Sequence, residues 1–459
     1  MRFSICPGPP NRREFLRAGL LAWGGLELAD LFAARAAAAA TPGSRKPARE
    51  RAVILFWMWG GPSQLETWDL KPEAPSEYRG PFRPIATSVP GLDVCELFPQ
   101  IAAHGSRLSL VRSLHHEMSA HNDGSIEWLT GKTPRVPDPT STAKSEHPDF
   151  GMITSRLRGP HPEGLPHYVG IPRQPFMTQA AYVGVSHAAM AVGDPSAESY
   201  QPPNLTLPAG VDARRLDDRR HLLSHLDRLR GDVDRHGHLA GTDQFRATAL
   251  ELLTRPNVAS AFDVAREDDA LRDRYGRHLW GQACLLARRL AEAGVGVITI
   301  DALAPTLSDR YFSWDDHINP TTRWDLADAM RYRAPFMDQA LSALVDDVYQ
   351  RGLDQQVLIV ALGEFGRTPR LVEHDGLIGR DHWPAAQCAL LSGGGLRMGQ
   401  VVGATNSKGE YPAERPLRPQ DLLATIYRHL EIDPHTALVD FAGRPLPLLP
   451  DGEPIAELV

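Results

Sequence analysis

The chain has 459 residues, 42% of them hydrophobic and 23% charged, with a formal net charge of −7. That length can bury a large core, in one big α/β domain or two smaller ones. The acidic balance excludes non-specific nucleic-acid binding, and Cys6, Cys95, Cys284 and Cys388 form no CxxC pair, which excludes a zinc ribbon and a disulfide framework.

Residues 1–40 stand apart from the rest. Asn11, Arg12 and Arg13 precede Phe15-Leu16, an apolar run and an Ala-rich tract ending at Ala40. This order resembles a twin-arginine export signal and predicts a removable leader, with the twin-arginine translocation machinery as a partner. Its apolar run carries Glu27 and Asp30 and is too interrupted to anchor the chain across a bilayer. Residues 41–50 read as a basic linker, and residues 51–459 as the functional domain.

Within that domain, residues 52–59 (AVILFWMW) predict a central strand closed by Gly60-Gly61-Pro62-Ser63. This turn either offers backbone N–H groups to an anion or only reverses the chain. Residues 64–72 suit a pocket rim or a surface loop. Residues 108–114 predict a second strand running into His115, His116, Glu117, His121 and Asp123, a cluster rich enough in imidazole to hold a metal. A helix is expected from Ser125 to Leu129, ending at Thr130-Gly131.

About residues 205–275 the chain turns charged and helical, with leucines at amphipathic spacing, which predicts an inserted helical cover. A helix over residues 279–293 then leads through Gly294 and Gly296 into a strand, Val297 to Ile300, a βαβ rhythm. Asp301 ends that strand, and Asp315, Asp316 and His317 follow its loop. Residues 324–350 predict a long helix whose Phe336, Met337, Leu341, Leu344 and Val348 recur at core-packing spacing. The apolar run from Val357 to Val360 predicts a buried parallel strand, and beyond it come Glu364, Arg367, Asp381 and His382. Another strand at residues 387–391 ends in a glycine turn with no phosphate-binding pattern. A helix over residues 419–430 starts with Pro419, and the Pro-rich tail is expected to be extended. Cys284 and Cys388 sit in apolar runs and read as core.

Two strand-end segments thus pair carboxylate with imidazole: Asp315 and Asp316 with His317, and Asp381 with His382. Oxygen and nitrogen donors without thiolate suit Zn²⁺, Mn²⁺ or a similar divalent ion. Each pair is either a set of metal ligands or a hydrogen-bonded brace. Glu364 either completes the metal shell or acts as a base. Arg367 either neutralises an anionic ester or braces the loop against Glu364. Together these groups describe metal-assisted ester hydrolysis.

The blocks GGPSQLETWDLKP, VRSLHHEMSAHNDGSIEWLTGKTP, SWDDHINP, GEFGRTPRL and GRDHWP closely resemble the DUF1501 family of exported bacterial proteins. That family resembles a branch of the alkaline phosphatase and sulfatase superfamily. The resemblance implies a doubly wound α/β sandwich with a mostly parallel central sheet and metal ligands at strand ends. It sets His121 at the position of the superfamily's nucleophile and Glu364-Phe365 at that of an Asp-His ligand pair. It also places Trp59 or Gly60 where a first-strand Asp would bind metal. Asp315 and His317 resemble a shortened Asp-x-x-x-His ligand element, and His382 a late His ligand, so one divalent-metal site is expected sooner than two. The implied function is a periplasmic or extracellular metal-dependent hydrolase of sulfate, phosphate or related esters, with His121 as nucleophile or base. The alternative is a non-catalytic protein that binds an anionic, sulfated polysaccharide through a degraded hydrolase site.

Overall fold

The computed structural model describes residues 50–201, 256–306, 310–318 and 324–459. The leader, nearly all of the linker, most of the expected helical insertion and Asn319 lie outside the described residues. Eight strands build one sheet: β1 (Ala52–Trp57), β2 (Leu108–Leu114), β3 (Tyr168–Ile171), β4 (Met190–Ala191), β5 (Val297–Asp301), β6 (Val357–Leu362), β7 (Gln387–Gly393) and β8 (Gln400–Val402). Their spatial order is β8-β2-β7-β6-β1-β5-β3-β4. β1 pairs in parallel with both β5 and β6, whereas β7 runs antiparallel to both β6 and β2.

The continuous apolar runs of β1 and β6 follow from burial on both faces. Ala52, Ile54 and Phe56 enter one core, and the alternate residues Val53, Leu55 and Trp57 enter the other. Five helices are central to this packing: α1 (His121–Thr130), α2 (Phe150–Arg158), α3 (Leu279–Glu292), α4 (Leu326–Gln350) and α5 (Pro419–His429). Buried side chains of α3 and α4 belong to the first core, and those of α1, α2 and α5 to the second. This is the expected α/β sandwich with a mostly parallel sheet. Of the expected insertion, the described part includes helices Pro256–Phe262 and Asp269–Tyr275. No helix of the described residues is long and apolar enough to cross a membrane.

Three local expectations need correction. α1 starts at His121, four residues before Ser125, because Ala120 already accepts the first helical bond from Gly124. The tail folds back as a hairpin, Ala437–Val439 against Pro445–Pro447. Residues 64–66 are not a surface loop but a buried turn of 3₁₀ helix: Ser63 caps it, and Glu66 meets Arg380 at 2.8 Å with both side chains fully buried.

The carboxyl end of β1 is fastened to the loop after β5. Trp314 donates its backbone N–H to Trp59 O at 3.1 Å and its indole N–H to Ala302 O at 2.8 Å, and its ring stacks on Trp280 of α3. Gly60 sits at φ +112°, and a Cβ there would lie 2.6 Å from the backbone N of Asp315. Gly60→Ala is therefore expected to cost about 1–3 kcal/mol in backbone strain, before any displacement of Asp315. Denaturant unfolding checks this, and an unchanged midpoint would contradict the close approach.

Candidate metal centre

Strands that run the same way end on the same edge, and their following loops meet there. β2 delivers His116 and the start of α1, β1 delivers Trp59 and Gly60, the loop after β5 delivers Asp315, and β6 delivers Glu364. Because β7 is reversed, His382 reaches this edge from the chain entering β7. Continuing from β6, Gly366–Arg367 pairs with His382–Trp383, with His382 opposite Arg367.

The centre is built on Asp315. Its Oδ1 faces His317 Nδ1 at 2.5 Å and His382 Nε2 at 3.1 Å, and its Oδ2 faces His121 Nε2 at 3.3 Å. Arg367 Nη2 also donates to Oδ1. Burial alone would raise the Asp315 carboxyl, but the Arg367 guanidinium, with His121 and His317, outweighs it and holds the group far below the usual carboxylate range. His121 turns its other nitrogen to Glu364: Nδ1 lies 2.7 Å from Oε1, which also accepts Gly60 N–H at 2.8 Å. Burial pushes His121 down, yet its contacts with Asp315 and Glu364 raise it to about 9. For His382, burial dominates and lowers the imidazole, with Arg367 and His121 adding to the effect against its contact with Asp315.

His382 Nδ1 lies 2.7 Å from Ser119 O. A carbonyl only accepts, so Nδ1 carries the proton and a neutral ring presents its Nε2 lone pair to Asp315 Oδ1. Two acceptors at that distance repel unless a cation lies between them. Donor atoms of His121, Asp315 and His382 all fall within 4.8 Å of one another, the one such group among the described residues. Glu364 keeps a second unmet demand, since its Oε2 is buried without a hydrogen-bond partner. Two imidazoles and a carboxylate, each oriented by an outer hydrogen bond, fit a divalent cation.

The remaining expected residues are placed as follows. Glu364 is fully buried and holds His121 from behind. His317 touches Asp315 but lies outside the three-donor group. Asp381 leaves the metal-facing set: its side chain is exposed, and its backbone pairs with Thr368. Asp316 turns away to Arg333 and to Trp324 Nε1, 2.9 Å from its Oδ1. Of the two roles open to Arg367, its surroundings are those of the brace, with Asp315 and not Glu364 as the acidic partner, and the substrate-facing role falls away. Arg367 is fully buried, and besides Asp315 it donates to Gly61 O at 2.7 Å, to Arg380 O at 3.0 Å and to Gly60 O. The Gly-Gly turn is no anion cradle either, because Gly60 N–H goes to Glu364 and Gly61 N–H to Met58 O.

Trp59 and Phe365 have no role of their own in the sequence reading, and His115, His116 and Asp301 take other places than the metal shell. Trp59 stacks on His121 with centroids 5.0 Å apart, and Phe365 lies 5.2 Å from His121 and 4.4 Å from His382. Phe365 stands where the resemblance led one to expect a ligand, and it walls the centre instead. His116 Nε2 meets the carbonyl of Glu364 at 2.7 Å, fixing that turn, whereas His115 contributes only its backbone N–H, to Leu417 O. Asp301, at the end of β5, pairs with Arg173 at 2.8 Å, and burial raises it to about 6. The one sequence signal for the outer contacts was the crowding of polar residues at strand ends.

Residues 50–459 match the family described as "Protein of unknown function (DUF1501)". No curated protein matches the sequence. Among solved structures, the chain is similar to a protein of the alkaline phosphatase superfamily from Vibrio parahaemolyticus, at 11% identity and a TM-score of 0.38 over 84% of this chain and 67% of that one. It is also similar to a sulfatase from a Pseudoalteromonas species, at 12% identity and a TM-score of 0.34 over 84% and 69% of the two chains. A phosphonate monoester hydrolase of Agrobacterium radiobacter is matched at 12% identity and a TM-score of 0.35, over 88% and 78%.

In this brace the planar set of donors of Arg367 matters more than its charge. Arg367→Lys cannot reach the same acceptors and is expected to destabilise the fold by about 3–5 kcal/mol, as when a buried pair loses one partner. An urea titration decides this, and a Lys variant as stable as the parent would return Arg367 to a role in substrate contact.

Proposed function

Because the chain belongs to the DUF1501 family, its activity has to be read from its own side chains, and we propose that it is a metal-dependent hydrolase of sulfate, phosphate or related esters. One observation carries this reading: His121, Asp315 and His382 converge their donors within 4.8 Å at the carboxyl edge of the sheet. Those three side chains would hold one divalent cation of the Zn²⁺ or Mn²⁺ kind. When bound, such an ion polarises an ester oxygen and lowers the pKa of water to about 7 in favourable sites.

The side chains of the protein prepare that chemistry. Glu364 keeps a proton on His121 Nδ1, so that a cation displacing the Nε2 proton would find that lone pair directed inward, and the Ser119 carbonyl directs the Nε2 lone pair of His382 in the same way. Arg367 and the contacts it makes hold Asp315 ionised at any working pH. Trp59 and Phe365 wall the two imidazoles and exclude water from their faces. With both ring nitrogens of His121 directed at carboxylates, His121 serves this reading better as a ligand than as a nucleophile, and water is the nucleophile. The physiological substrate in this reading is an anionic small molecule or polysaccharide met outside the cytoplasm. The leader residues 1–40 would carry the folded, metal-loaded chain there by the twin-arginine route.

Elemental analysis of protein folded in the cell, combined with a panel of phosphate, sulfate and phosphonate monoesters, tests the function. One bound transition metal and turnover of at least one ester class are expected, with both lost in Asp315→Asn. Glu364→Gln is expected to weaken metal affinity by about 10–100-fold, as for other outer-contact changes. A protein without bound metal, and indifferent to these substitutions, sinks the hydrolase reading. Metal retained without any ester turnover favours a binding protein for anionic ligands. Replacing Arg12 and Arg13 by Lys is expected to leave the protein in the cytoplasmic fraction, and unaltered export would refute the twin-arginine route.

A further inference from the structure

A path of aromatic contacts leads away from the metal centre. Trp59, stacked on His121, meets Phe176 edge-on at 5.8 Å, and Lys144 Nζ lies 5.0 Å above the centre of the Phe176 ring. Lys144 lines a cavity of about 350 Å³, which shares Lys132, Arg135, Glu146 and His147 with a second cavity of about 690 Å³. The two cavities thus share a wall, and Lys144 at its edge touches Phe176, which in turn touches Trp59 beside the centre.

Two properties of their lining point to one ligand chemistry. The first is charge: Lys132, Arg135, Lys144 and Arg444 face only Glu146 and Asp440 in these cavities, on a chain whose net charge is −7. Asp440 is already taken by Arg444, while Arg135 and Lys144 have no carboxylate partner among the described residues. The second is exposed aromatic surface. Phe441 is 82% exposed and packs edge-on to Tyr182 at 6.4 Å, and Tyr182 packs edge-on to His147 at 5.8 Å. Flat apolar rings left open beside unpaired cations match a pyranose chain bearing sulfate or phosphate groups: the sugar faces cover the rings, and the anions reach the cations.

We infer that these two cavities, which share a wall, form an extended binding groove for an anionic oligosaccharide, which threads one of its ester groups past Phe176 and Trp59 towards the metal centre. This rests on the ester-hydrolase reading for what happens at the end of the groove, but not for binding within it. The groove residues are distinct from the donors of the centre, so the two can be broken separately.

The test uses the full chain with three probes: a dextran sulfate oligosaccharide, uncharged dextran of the same length and polyglutamate. Calorimetry on wild type is expected to show binding of the sulfated chain that weakens with salt, with weaker or no binding of the other two. The exposed triple variant Arg135→Ala, Lys144→Ala, Phe441→Ala is expected to lose about tenfold or more in affinity for dextran sulfate. Its metal content and its turnover of a small aryl ester should stay at wild-type levels. Phe441→Ala alone should weaken the sulfated chain with little change in salt dependence, which separates ring stacking from charge. Equal affinity of wild type and triple variant overturns the groove, and polyglutamate bound as tightly as dextran sulfate overturns the sugar. If wild type turns over no ester but the triple variant still loses dextran sulfate, the hydrolase reading fails and the groove stands.

Discussion

The centre depends on one buried negative charge. Asp315 is 8% exposed and stays ionised only because cations and donors surround it, since an isolated buried carboxylate neutralises itself. Arg367 supplies the permanent positive charge, and it reaches Asp315 because its other donors are satisfied by the carbonyls of Gly60, Gly61 and Arg380. The same side chain therefore ties β1, the loop after β5 and the strand pair before β7 into one unit. His121, His317 and His382 gather on the oxygens that this arrangement fixes.

Outside that contact, each donor has a support of its own. Glu364 backs His121, the carbonyl of Ser119 backs His382, and Trp314, stacked on Trp280, sets the height of Asp315 above the sheet. The supports come from three strand ends, those of β6, β2 and β5. A doubly wound sheet provides this naturally, because parallel strands deliver their following loops to a common edge. The reversed β7 adds to it by bringing His382 in from the opposite chain direction. The aromatic walls Trp59 and Phe365 complete a site that is polar at its centre and apolar at its sides, the setting in which electrostatic interactions are strongest.

Much of the fold is legible in the sequence. β1 and β6 read as unbroken apolar runs because both faces are buried, and α4 reads at helical spacing because Met337, Leu341, Leu344 and Val348 all enter one core. The direction of β7 was not legible, since its sequence is equally apolar for either orientation. The start of α1 was missed because Ala120 gives no side-chain cap to mark it. Asp315, His382 and His121 were singled out by residue type and by position after strands, whereas Asp381 looked as good as His382 beside it. In an extended segment neighbouring side chains point to opposite sides, so His382 turns inward to the centre and Asp381 outward.

By itself, then, the sequence determined the α/β layering and the inventory of polar groups at the strand ends, because hydrophobic periodicity is a local property of the chain. Only the tertiary structure decided which charges face one another. Asp315 meets an arginine 52 residues away, and His121 meets a glutamate 243 residues away. The character of a buried charge is set by partners within a few ångströms in a medium of low polarity, and no spacing along the chain encodes that distance.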